Sequence, residues 1–268
     1  LSYNQQGYLG KTIKLKSGNT FYPTITNNLD EKTTVHWHGL EVNGENDGAV
    51  GSIAIVDPGE SKTYELAVDQ PASTIWYHPH AHGTTANQVY SGLAGLIIIE
   101  DDISDTLGLP TEYGVNDIPV ILQAKLFDQD GNLNYGEDND ELDFEDPAGD
   151  NSETTTGFAI MTNGSYNPYI NVSNEVIRLR LLNGSNHGAM DVTLSEGDVY
   201  VIGTDGGLLE TSQQKDTQEI IAGQRYEVLV DLSSYQIGDS VDVIANGQSV
   251  LTLQVTIEST NNFVIPNT

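Results

Sequence analysis

Apolar residues along this chain recur at every second position or in short unbroken runs, and almost never at helical spacing. KTIKLKSGN (11–19), KTYELAVDQP (62–71), GLAGLIIIED (92–101), IPVILQAKLFDQDG (118–131), VIRLRLLNGS (176–185), DVYVIGTDGG (198–207), RYEVLVDLSS (225–234) and SVLTLQVTIES (249–259) all share this pattern. They are rich in Val, Ile and Thr and are bounded by Gly, Asn, Asp or Pro, as half-buried or fully buried strands are. No stretch carries a long amphipathic helix, so the pattern predicts an all-β protein of sandwiches or barrels. Residues 101–119, DDISDTLGLPTEYGVNDIP, interrupt it with acids, Gly and Pro. They divide the chain into a first domain at 1–103, a linker at 104–117 and a second domain at 118–268.

Composition narrows the chemistry. The chain has 268 residues, enough for two ordinary domains with their own cores. Asp and Glu number 39 against 10 Lys and Arg, a formal charge of −29, which would repel a polyanion and excludes nucleic acid as an expected partner. Residues 128–153 hold eleven acids and no Lys or Arg. Such a run reads as a solvated loop, with calcium binding or partner recognition as the lesser alternative. Cysteine is absent, which removes disulfides, thiolate nucleophiles and Cys-ligated metals together. The longest apolar run, LAGLIII at 93–99, is too short to span a bilayer, and no signal-peptide pattern opens the chain, so no membrane association is expected.

Five of the six histidines fall in two short stretches, TTVHWHGL around His36 and His38 and WYHPHAHG around His78, His80 and His82. On a strand, residues two apart share a face, so His36 and His38 would stand side by side with Trp37 turned away, and His78 and His80 likewise around Pro79. Four neutral imidazoles on neighbouring strands suit copper, zinc or non-haem iron rather than magnesium or calcium. Pro79 cannot donate to a ladder, which predicts a sheet edge or a bulge at that point. His82 is followed by turn residues and is expected to be structural rather than a ligand. His187 stands alone and reads as a surface or structural residue.

TTVHWHGLEVNGENDG and WYHPHAHGTTANQVYSGLAGLIIIED resemble the first two copper motifs of the multicopper oxidases, in the branch of laccases, bacterial cuprous oxidases and spore-coat laccases. MTNGSYNPYI, RLRLLNGSN, YVIGTDGGLLE and GQRYEVLVDL extend the resemblance over nearly the whole chain. It implies two cupredoxin-like Greek-key β-sandwich domains, the first shortened at its start and the second without metal ligands. By the same resemblance His36 would hold the type 2 copper of a trinuclear cluster, His38 and His78 one type 3 copper, and His80 the other. Asp47 would stand beside the cluster as a proton-delivering acid.

The family's remaining cluster ligands and its type 1 copper, which needs a Cys thiolate, have no counterpart here. The resemblance therefore implies the N-terminal part of an oxidase that couples one-electron oxidation of a small phenolic or cuprous-ion substrate to four-electron reduction of O2. A missing C-terminal cupredoxin domain would be its partner, the chain alone would be inactive, and an extracytoplasmic location is favoured. The alternatives are a non-enzymatic cupredoxin-fold scaffold, like copper-free relatives in cell division, and a simple copper- or zinc-binding module.

Overall fold

The computed structural model describes residues 1–5, 7–49, 51, 54–135 and 157–266. Most of the acidic run at 128–153, with the calcium or partner site considered for it, lies outside the described residues. Two compact units emerge, Leu1–Thr106 with Asp205–Gly207, and Leu107–Thr204 with Leu208–Thr268. The all-β class expected from the pattern is what the chain adopts. No helix among the described residues is long and apolar enough to cross a membrane.

The first unit is built on β1 (Ile13–Lys16), β2 (Thr20–Phe21), β3 (Thr24–Thr26), β4 (His36–His38), β5 (Ser61–Thr63), β6 (Leu66–Ala67), β7 (Ser73–His78) and β8 (Gly95–Glu100). A single six-residue helix, α1 (Thr85–Tyr90), precedes β8. The order β1-β8-β7-β4 makes a four-stranded sheet, while β2 pairs with β6 and β3 with β5. The unbroken apolar run of β8 is explained by its central place, with Leu96, Ile97, Ile98 and Ile99 buried on both faces. Val35, Trp37, Tyr64, Leu66, Ile75, Tyr77, Ile97 and Ile99 form the core. Trp37, 1% exposed, meets Phe21 and Tyr64 edge-on, and it is this burial that fixes which way β4 faces.

The second unit runs β9 (Asp117–Phe127), β10 (Leu133–Asn134), β11 (Gly157–Thr162), β12 (Tyr169–Ser173), β13 (Val176–Asn183), β14 (Ala189–Leu194), β15 (Val199–Thr204), β16 (Gly207–Lys215), β17 (Gln218–Ile221), β18 (Arg225–Asp231), β19 (Ser240–Ala245) and β20 (Gln248–Ile257). A seven-stranded sheet, β10-β9-β13-β18-β15-β16 with β11 also on β9, accompanies a five-stranded one, β12-β20-β19-β14-β17. Ile118, Val120 and Leu122 of β9 and Ile177, Leu179 and Leu181 of β13 alternate into one apolar core.

Arg178 and Arg180 of β13, Asp117 at the start of β9 and Glu227 of β18 are buried too, and they neutralise one another. Arg180 grips Asp117 through two hydrogen bonds of 2.6 and 3.0 Å and reaches Glu227 at 3.0 Å, and Arg178 pairs with the same Glu227. Shared charge and bidentate geometry are what make such burial tolerable.

Candidate metal centre

β4 and β7 pair antiparallel with His36 opposite His78, Trp37 opposite Tyr77 and His38 opposite Trp76. Trp37 and Tyr77 point into the core, so alternation turns His36, His38, Trp76 and His78 to the other face of the sheet. Tyr77 is locked there by donating to the Lys11 carbonyl at 2.8 Å. Gly95 leaves the room: a Cβ on it would come within 2.4 Å of the Tyr77 ring.

Each imidazole is held differently. His36 Nδ1 lies 2.8 Å from the backbone carbonyl of Asp47 and 3.0 Å from its carboxylate. Both are acceptors, so Nδ1 is a donor and Nε2 is the nitrogen left to face a ligand. The Asp47 loop can approach this closely because Gly48, at φ +72°, sits where a Cβ would be 2.0 Å from the Val35 carbonyl oxygen. His78, 5% exposed, donates from Nδ1 to the Pro79 carbonyl at 2.7 Å, which leaves its Nε2 lone pair facing His38 Nδ1 at 3.2 Å. Burial, reinforced by the neighbouring imidazoles, pushes the His78 pKa well below the usual histidine value, so the ring stays in its neutral, ligating form. The Trp76 indole covers it, stacked at 3.9 Å between ring centroids.

His80 arrives by another route than the one expected. Pro79 marks neither an edge nor a bulge: β7 lies inside the four-stranded sheet, between β8 and β4, and simply ends at His78. His80 is therefore beyond the strand, and strand parity does not place it. Its ring nevertheless comes to 5.2 Å from His36 and 5.6 Å from His78 between centroids, and its Nδ1 is buried with no hydrogen-bond partner.

Ligand atoms of His36, His38 and His78 lie within 4.8 Å of one another, with the His80 ring next to them. His82 is exposed in the turn before α1, and His187 is exposed in the second unit. One residue that matters here was not singled out from sequence, Thr34, whose hydroxyl accepts the His80 N–H at 2.8 Å. The pairing register of the two histidine stretches was the signal that would have found it. An all-imidazole donor set with one orphaned, buried ring nitrogen fits a late first-row ion such as copper or zinc.

Two family models, both described as Multicopper oxidase, match residues 1–104 and 104–260. A Staphylococcus haemolyticus protein, "Multicopper oxidase mco", is 40% identical over 252 residues, 94% of this chain and 52% of that protein. "Cell division protein FtsP" of Xenorhabdus nematophila is 38% identical, with 88% of this chain and 47% of that protein aligned. Among solved structures, a multi-copper oxidase from Pediococcus acidilactici superposes with a TM-score of 0.86 at 35% identity, over 99% of this chain and 54% of the other. The chain spans about half the length of the curated relatives it matches.

Proposed function

The chain belongs to the multicopper oxidase family, and from that premise we propose that it forms the N-terminal part, cupredoxin-like domains one and two, of a laccase-like oxidase. The whole protein removes electrons singly from a small phenolic or cuprous-ion substrate and reduces dioxygen to water with four of them, outside the cytoplasm. The observation that carries this reading is the convergence of His36, His38 and His78, ligand atoms within 4.8 Å, with His80 beside them.

His36 would hold the type 2 copper, His38 and His78 one type 3 copper, and His80 the other. The 3.2 Å approach of His38 Nδ1 to His78 Nε2 supports assigning those two to a single ion. Copper bound there supplies one-electron redox chemistry and a path for electrons to dioxygen. The chain's own work is to aim these imidazoles. Burial keeps His78 unprotonated at Nε2, the Pro79 carbonyl fixes its tautomer, and Asp47 does the same for His36. The Asp47 carboxylate, 30% exposed and already in contact with the site, is placed to relay protons towards reduced oxygen. Four imidazoles cannot complete a three-copper cluster, so a C-terminal cupredoxin domain would bring the remaining ligands and the thiolate this chain lacks. Alone, the chain would not turn over. A scaffold of the cell-division kind has no use for imidazoles gathered on one sheet face, which favours the oxidase.

Oxygen uptake by the copper-loaded, full-length protein, supplied with a phenol or cuprous ion, tests this. Uptake should be lost on H38A or H80A; uptake that survives both overturns the assignment.

A further inference from the structure

The ladder that carries the histidines breaks at one defined place. β4 and β7 pair as far as His36 opposite His78, and the same register, projected two residues on, sets Thr34 opposite His80. Backbone pairing stops short of that point, because β7 ends at His78. Two substitutes take over. The Pro79 carbonyl accepts the His78 ring N–H at 2.7 Å, and the His80 backbone N–H donates to the Thr34 hydroxyl at 2.8 Å. Thr34 is 1% exposed, so water does not compete for that hydroxyl.

The backbone leading to Thr34 is itself held. Neighbouring Thr33 donates to Gln88 Oε1 at 2.7 Å, and Gln88 of α1, wholly buried, donates to the Lys32 carbonyl at 3.0 Å and the Glu31 carboxylate at 2.9 Å. The run from Glu31 to Thr34 is thereby clamped to the helix. His80 differs from the other rings in one respect. His36 and His78 are oriented through their own Nδ1, by Asp47 and by Pro79, whereas the buried His80 Nδ1 has no partner. Its aim depends on where its backbone is tied.

We propose that Thr34 is the positioning residue for His80: its hydroxyl replaces the acceptor that the interrupted ladder cannot supply, and so sets where the His80 ring meets those of His36 and His78. This rests on the reading of His80 as a copper ligand. T34V keeps the side-chain shape and removes the acceptor; T34S keeps the acceptor.

In the full-length protein, with copper affinity measured by chelator competition, T34V should bind copper about 10–100-fold more weakly, the loss typical of an orienting group, and T34S should bind as the wild type does. H80A, measured alongside, separates the two levels of the argument. Copper binding weakened in H80A but unchanged in T34V overturns the role of Thr34 alone, as does T34S behaving like T34V. Binding unchanged in H80A overturns the reading of His80 as a ligand and the proposal with it. Should T34V fail to fold, hydrogen exchange at the His80 amide of the copper-free wild type decides: slow exchange supports the bond to Thr34, and exchange at the rate of an unbonded amide overturns it.

Discussion

Asp47 meets His36 twice, through its carboxylate and through its own backbone carbonyl, and the two contacts have different fates under mutation. D47A removes only the first. The carbonyl at 2.8 Å still holds the His36 proton at Nδ1, so copper content should stay near wild type while oxygen reduction by the whole protein slows. Copper lost in proportion to rate would make Asp47 an orienting group and nothing more. Stability should change by less than about 1 kcal/mol, because the pair is partly exposed and screened. Lys125 is the opposite kind of residue. Its amine is buried on β9, and desolvation brings its pKa down to about 7. The unfolded chain keeps that proton to about pH 10.5, so between the two values it binds more protons than the folded one, and stability rises with pH. The cost of burial is therefore full below about pH 7 and gone above about 10.5. K125M, which keeps the apolar stem, should raise unfolding free energy by about 2–4 kcal/mol at pH 6 and by little at pH 10 in urea titrations. An equal gain at both would remove the buried amine as its cause.

β7 owes its end to Pro79, and that end is what sends His80 to Thr34 and the Pro79 carbonyl to His78. P79A lifts the constraint that the proline ring puts on the backbone where β7 ends. The protein should lose no stability in thermal melts, yet bind copper more weakly, since the carbonyl of residue 79 that orients His78 would be held less firmly and His80 would shift. Unaltered affinity would show that the ladder break is incidental. The strands that sequence made legible are those with apolar runs or strict alternation: β1, β8, β9, β13, β15, β18 and β20 all fall on predicted stretches. β16, with the sequence GLLETSQQK, is mostly exposed or half-exposed and carries no such signal, while β2 and β3 are two and three residues long. Alternation also gave the shared face of His36 and His38 and the inward turn of Trp37. It could not show that Arg178 and Arg180 are buried, because that requires Asp117 and Glu227 from other strands. Nor could it show how Asp47 reaches His36, which depends on the close approach of Gly48 to Val35.

For the molecule as a whole, a charge of −29 means that folding gathers acids which the unfolded chain keeps apart. Screening should relieve this, so the thermal midpoint should climb as sodium chloride is raised towards 1 M, where the screening length is about 3 Å. A flat or falling midpoint would show that the acids are already compensated. Absence of cysteine was the most telling whole-chain fact in the sequence, because it set the histidine cluster apart from any thiolate-bearing copper site. Only two tryptophans are present, and one, Trp76, lies flat on His78 at 3.9 Å. Light emitted by that indole is therefore a built-in gauge of occupancy: copper(II) arriving at His78 should darken it, a chelator should bring it back, and a W76F protein should lose most of the response.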